Sequence, residues 1–191
     1  MTDYRILRLQ VQRGPVKIGR APVRRYEPAA LVPVEGLLAE PRGVRGIAAD
    51  GEEILDVHHT EHPRTRDRKG RGGILFMGTG DYAALRTRYG DHVVDGIAGE
   101  TILLDAPDGL AGLHMPATAT ITTANGPLQL HGVRVAEPCI EFSRFCLGRE
   151  PSPVVDEVLK GTLVDLDDGA RGYRSISSGE ATIAIGDVLT I

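Results

Sequence analysis

Tryptophan is absent, and aromatic residues make up only 4% of the 191-residue chain. A core so poor in large rings has to be filled by aliphatic side chains, which the 41% hydrophobic content supplies. There are only two cysteines, Cys139 and Cys146. Their spacing matches neither a zinc-binding pattern nor a disulfide framework, and it points to a reducing, cytoplasmic setting. No run of about 18 apolar residues occurs, which excludes a membrane-spanning helix. The N-terminus, Met-Thr-Asp-Tyr-Arg-Ile-Leu-Arg-Leu, alternates in polarity where a signal peptide would be an apolar block. Lysine is scarce, confined to Lys17, Lys69 and Lys160, and the net charge of -4 argues against a general nucleic-acid binder. Almost all the basic residues are therefore Arg. Arg grips planar oxyanions better than Lys, although genome composition produces the same bias.

What the chain has in excess is Gly (24) and Pro (12). Frequent turns of this kind suit a β-rich fold in one domain covering residues 1–191. Tyr4 to Gln12 alternates, with a slip that places Leu7, Leu9 and Val11 on one face. It reads as a first strand pairing with Pro15 to Ile18. Residues 20–50 read as loops and short strands, and the very polar 51–73 as one long loop. Gly73 to Gly78 is a buried strand, and Gly80 to Tyr89 a helix stopped by Gly90. Gly96 to Asp105 is a turn entering a strand, and Ala117 to Thr123 a half-exposed strand. After the Asn125-Gly126-Pro127 turn, Leu128 and Leu130 share a face, whereas Val133 and Val135 fall on the other parity. Gly132 is thus the place for a β-bulge. Ser152-Pro153 predicts the start of a second helix ending before Gly161. Tyr173–Ser177, Glu180–Ile185 and Val188–Ile191 form a closing meander. The sum is roughly nine short strands and two helices, a β-barrel-like core with helical decoration.

Several side chains are candidates for chemistry. Cys139 follows Pro138, which fixes the backbone there. A thiolate at this corner can ligate a metal or carry sulfur, and a small buried hydrophobe is the competing reading. Cys146, between Phe145 and Leu147, reads as core. His58, His59, Glu61 and His62 are metal-ligand types, but no helix spaces them and Pro63 follows. A solvated loop is the preferred reading, with His58 or His59 lining a pocket as a separate alternative. Arg64, Arg66, Arg68 and Arg71 can bind a phosphate through paired N–H groups, or can simply balance the neighbouring acids. Arg134, Arg144 and Arg171 are alternative anion contacts. Glu100 opens a strand and can accept backbone N–H groups there, while turn chemistry accounts for Asp187.

Three segments in order carry a resemblance. Gly96-Ile-Ala-Gly-Glu100, Pro138-Cys139-Ile140 and Gly172-Tyr-Arg-Ser-Ile-Ser-Ser-Gly-Glu-Ala-Thr-Ile-Ala-Ile-Gly-Asp187 together resemble the MOSC family, the domain at the C-terminus of molybdenum cofactor sulfurases. The resemblance is strongest over about residues 45–191, and Leu55-Asp56-Val57-His58 loosely echoes a further element of the family. It implies a β-barrel of short strands with two or three peripheral helices. It further implies that Cys139 supplies a thiolate to molybdenum. Glu100, His58, Arg64, Arg66, Arg134 and Arg171 become candidates to hold molybdenum cofactor (molybdopterin), whose metal suits a soft ligand. The implied chemistry is reduction of an N-oxygenated small-molecule substrate, or sulfur transfer. The chain carries no flavin, haem or iron–sulfur signature, so the partner would be an electron-donor protein or a cysteine desulfurase. The family's Pro-Arg pair is replaced by Val135 and Ala136. A metal-free persulfide carrier and a non-catalytic barrel binding a small ligand or a protein are therefore the alternatives.

Overall fold

Two apolar runs lie at the centre of the computed structural model, which describes residues 1–71 and 73–191. In Ile74–Gly78 and Ile102–Leu104 every residue is buried. Strands that are apolar on both faces must be covered on both, the usual situation of parallel strands, and these two do pair in parallel. Phe76, Ile102 and Leu104 join one core, whereas Met77 and Leu103 join a second core beneath the helices.

Among the described residues the strands, numbered along the chain, are β1 (Asp3–Gln12), β2 (Lys17–Ile18), β3 (Arg25–Tyr26), β4 (Leu31–Val34), β5 (Gly36–Glu40), β6 (Gly43–Ile47), β7 (Glu53–Leu55), β8 (Ile74–Gly78), β9 (Ile102–Leu104), β10 (Thr118–Thr123), β11 (Gly126–Val135), β12 (Tyr173–Ser177), β13 (Ala181–Ala184) and β14 (Val188–Thr190). The helices are α1 (Thr79–Tyr89), α2 (Ile140–Cys146) and α3 (Glu157–Asp165). Hydrogen bonding runs β1–β14–β10–β11–β12–β8–β9 and back to β1, which closes a barrel of seven strands. Closure removes the exposed edges that an open sheet would present. A second sheet, β13–β5–β6–β7, packs onto β1 and its neighbour β4, where Gly46 lets the strands approach: a Cβ at that position would lie 3.0 Å from Val11 Cγ2 of β1 and 2.6 Å from Val34 Cγ1 of β4. The protein is mainly β with a closed barrel and three helices. No helix among the described residues is long and apolar enough to cross a membrane.

Several expectations are corrected by these pairings. Pro15 to Ile18 does not pair with β1. Lys17–Ile18 pairs with β3, and the partners of β1 are β4, β9 and β14. The slip in β1 is real, a register shift against β9 between Ile6 and Arg8. It leaves Leu7 41% exposed, while Ile6, Leu9 and Val11 are buried. The expected loop 51–73 contains β7, and its position 72 lies outside the described residues. The second expected helix begins later, because Asp156 accepts a hydrogen bond from Leu159 N as its N-cap. Ser152 instead accepts from Val154 N, and Gly161 lies within α3. Helix α2, directly after Cys139, was not anticipated. The closing meander is also dispersed: β12 joins β11 and β8, β13 joins β5, and β14 joins β10 and β1.

A candidate anion-binding site with a thiol

The site begins at the bulge in β11. Pairing with β12 runs through His131↔Ile176 and resumes at Arg134↔Arg174, with the register shift between them. Gly132 has φ 62, a left-handed value that a residue with a Cβ adopts only with strain. The shift brings two arginines, Arg134 and Arg174, opposite each other. Two residues beyond β11 the chain turns through Glu137 and Pro138 to Cys139, which stands at the N-cap of α2 in extended conformation (φ -137, ψ 148). Its carbonyl accepts hydrogen bonds from Ser143 N and Ser143 Oγ, both at 3.0 Å. The half-buried Cys139 faces a cavity of about 430 Å³. Cys146, at the far end of α2, is buried in the second core, and burial pushes its thiol up to about 12. Its reading as a core residue agrees with this place.

The cavity wall is cationic. Arg64, Arg66, Arg134, Arg171 and Arg174 all line it, and among the described residues none of the five is in an ion pair with a carboxylate. Lys17 also lines it but lies 3.6 Å from Glu141. Burial holds Arg174 below the usual guanidinium range, and the neighbouring charges of Arg171 and Arg134 add to this. Arg171 is only 5% exposed. Its Nη1 donates to Glu137 O (3.1 Å), its Nη2 to Ala98 O (3.3 Å), and its guanidinium lies 5.1 Å from the centre of the Phe142 ring. Its Nε is buried without a partner.

Behind this wall the Gly96–Glu100 turn is held by side chains from several elements. Gln10 Nε2 donates to Gly96 O (2.7 Å), Tyr26 Oη to Ile97 O (2.7 Å) and Gln12 Nε2 to Gly99 O (3.0 Å). Gly99 has φ 83, and a Cβ on it would lie 2.7 Å from Gln12 Nε2, so this turn needs glycine. Glu100 is 1% exposed and is not part of the cavity lining. Tyr82 Oη donates to its Oε2 at 2.5 Å and accepts from Ala98 N at 3.0 Å, while Oε1 has no partner. Burial raises the Glu100 carboxyl to about 7, against the pull of the Tyr82 hydrogen bond. Its surroundings make it a buried prop of the turn, not a group in reach of a ligand.

The polar segment after β7 is ordered by a repeated device. Asp56, His59, His62 and Thr65 each accept, through the side chain, the N–H two residues ahead. The carbonyls of Asp56, His59 and His62 each accept the N–H three residues ahead, at 3.0 Å. Such side-chain turns are how Asp and Thr commonly order a loop, and here two histidines do the same. Nδ1 of His59 and His62 is thus an acceptor, and Nε2–H of each is the donor, to Glu40 Oε1 (2.8 Å) and Arg13 O (3.3 Å). Both rings are buried. This corrects the expectation of a solvated histidine loop: His59 and His62 are structural.

His58 is oriented the other way. Its Nδ1 lies 3.0 Å from Asp56 Oδ1, the same oxygen that accepts His58 N at 2.8 Å, and Asp56 Oδ2 accepts Gln12 N at 2.7 Å. A fully buried carboxylate thus takes the proton-bearing Nδ1, and Nε2 makes no hydrogen bond among the described residues on a side chain that lines the cavity. Asp56→Ala, which removes the acceptor of His58 Nδ1–H and leaves the N–H groups of Gln12 and His58 without their carboxylate, is expected to shift His58 toward the Nε2–H tautomer and to cost about 1–3 kcal/mol. Imidazole ¹⁵N chemical shifts check this, and shifts identical to the parent protein would refute the assignment.

Of the residues singled out in the sequence, Cys139, His58, Arg64, Arg66, Arg134 and Arg171 meet around one cavity. Glu100 lies behind it. Arg144 is elsewhere, buried and bonded to Pro22 O and Val154 O. Asp187 accepts Ala184 N within its turn. Arg174 and Gln12 were not foreseen. The signal for Arg174 was its cross-strand place opposite Arg134, visible only once the Gly132 bulge sets the register.

No family model and no curated protein matches the sequence. Among solved structures, the YUAD protein from Bacillus subtilis superposes with a TM-score of 0.57 at 14% identity, covering 98% of this chain and 94% of that one. A second, described as a hypothetical protein, gives 0.57 at 9% identity over 100% of this chain and 68% of that one. At these identities the likeness is one of fold: the chain shares its barrel architecture with these proteins.

Proposed function

We propose that the chain binds an anionic, phosphate-bearing cofactor of the molybdopterin type in the cavity, with Cys139 as the thiolate donor. One observation supports this above the others: Cys139 opens onto a cavity whose wall carries five arginines without carboxylate partners. The donor set fits such a group. No cluster of three His, Cys, Asp or Glu occurs among the described residues, so a bare ion would lack ligands. A metal already held by an organic dithiolate needs only one soft ligand from the protein. When bound, the cofactor would supply two-electron oxygen-atom or sulfur chemistry. Arg134, Arg171 and Arg174 would face its anionic groups, and His58, held by Asp56, would offer Nε2 for a proton. The small-molecule substrate would enter the same cavity, and a separate protein would deliver electrons or sulfur.

Protein purified from a host that makes the cofactor is expected to carry molybdenum and pterin, and Cys139→Ser to lose most of the metal while keeping its fold. Absence of both from well-folded parent protein would overturn the proposal. Full metal content in Cys139→Ser would overturn the role assigned to that thiol. A persulfide on Cys139 after treatment with a cysteine desulfurase, in protein without metal, would favour a sulfur carrier instead.

A further inference from the structure

The number and grouping of the cavity cations exceed what one phosphate monoester requires. Such an ester carries about two negative charges near neutrality. Five guanidinium groups line the cavity with no ion pair to a carboxylate among the described residues, against one lining acid, Glu137, and the charge of Asp67 acting on Arg174. Elsewhere Arg42, Arg45, Arg86, Arg88 and Arg149 meet carboxylates, while arginines such as Arg5, Arg20 and Arg68 form no ion pair among the described residues but stand apart from one another; the five differ in sharing one cavity. Of these five, Arg64 and Arg66 are exposed.

The five also fall into two groups on separate segments. Arg134, Arg171 and Arg174 crowd together at the β11–β12 end, where the like charges of Arg134 and Arg171 act on Arg174. Arg64 and Arg66 come from the turn-rich loop after β7, and Arg64 lies over Gly14, where an added Cβ would stand 2.6 Å from its Nη2. Like charges held this close with less counter-charge than cation favour whatever anion relieves them. In the first group both Nη atoms of Arg134 and of Arg171 already donate to carbonyls (Gly132 O and Arg71 O; Glu137 O and Ala98 O), so Arg174 offers the fork and the other two add charge, while Arg64 and Arg66 offer theirs to a second phosphoryl group.

We infer that the cavity takes a ligand with two phosphoryl groups, one at Arg134, Arg171 and Arg174 and the other at Arg64 and Arg66, as in a diphosphate-linked, nucleotide-bearing small molecule. The inference rests on the reading of this cavity as the site of a phosphorylated ligand.

Calorimetric titration of the metal-free protein with inorganic phosphate and pyrophosphate tests it. Pyrophosphate is expected to bind at least about tenfold more tightly. In the Arg64→Ala/Arg66→Ala double variant that advantage is expected to vanish while phosphate affinity stays within about twofold. Arg68→Ala, in the same loop but outside the cavity lining, is expected to leave the ratio unchanged. Equal affinities for the two anions would overturn the inference. So would an advantage that survives the double variant, or one that falls as much with Arg68→Ala. Because the probes contain neither pterin nor metal, failure here leaves the molybdenum and pterin measurement standing. A pyrophosphate preference in protein that acquires no molybdenum keeps this inference and removes the molybdopterin reading.

Discussion

Arg171→Ala is expected to lower stability by about 3 kcal/mol, a drop in Tm on the order of 10 °C for a chain of this size. The guanidinium is the only group hydrogen-bonded, by its side chain, to both Glu137 O and Ala98 O among the described residues, and it lies against the face of Phe142. Truncation leaves the carbonyl of buried Ala98 unpaired, turns that of Glu137 loose at the cavity edge, removes the cation–π contact and opens a void beside the second core. One effect opposes this: losing the charge relieves repulsion with Arg174 and Arg134. Arg171→Met separates the two, since it keeps most of the volume and removes the charge. If the carbonyl bonds dominate, Met is less stable than the parent and more stable than Ala. If repulsion dominates, Met is more stable than the parent, and Arg171 is not the tie that holds the two segments together. Because Arg171 joins the Gly96–Glu100 turn to the Pro138–Cys139 corner, Ala is also expected to speed the reaction of Cys139 with a thiol reagent. Thermal melts and thiol-labelling rates read the two effects independently.

The strands were legible where polarity alternates, as in Tyr4–Gln12, and where it does not, as in the buried run Ile74–Met77. Gly132 was legible as a bulge because the parity of apolar residues changes across it. Partners were not, since alternation says which face is covered and not by what. Tyr173 to Ile191 therefore looked like a meander, although its three strands serve two sheets. Helix α2 is too short, at seven residues, and too rich in Phe to announce itself. At α3 the Ser-Pro signal competed with Asp156, and the hydrogen bond to Leu159 N decided the start. The histidines failed for another reason. His59 is buried because Glu40, on a strand 19 residues earlier, meets its Nε2, and no local pattern contains that strand. The candidate site was legible residue by residue, in Cys139, His58 and the arginines. Its counter-ion deficit was not, because an unpaired charge is a statement about every other side chain nearby.

Burial of Glu100 has a measurable consequence. Its carboxyl is raised from 4.5 to about 7, first by burial. Tyr82 Oη already donates to Oε2 and accepts from Ala98 N, so the proton of the neutral form resides on Oε1, the oxygen without a partner. A carboxyl whose pKa is higher folded than unfolded favours the folded state fully below pH 4.5, and that contribution is lost as pH rises through about 7. The difference is on the order of 3 kcal/mol across the window. Glu100→Gln cannot titrate, and its carbonyl can still accept from Tyr82. Its absolute stability also reflects an amide placed where Oε1 has no partner, so the informative quantity is the slope. Denaturant unfolding from pH 4 to pH 8 is expected to show the parent losing stability relative to the variant, mostly between pH 4.5 and 7, with the gap constant above and below. The buried Asp81, whose carboxyl burial also raises, is common to both proteins and cancels in the comparison. Parallel profiles would mean that Glu100 stays ionised in its pocket. The charge of Arg8, which acts on it, would then have to outweigh burial, and the Gly96–Glu100 turn would present a negative charge behind the cationic wall of the cavity.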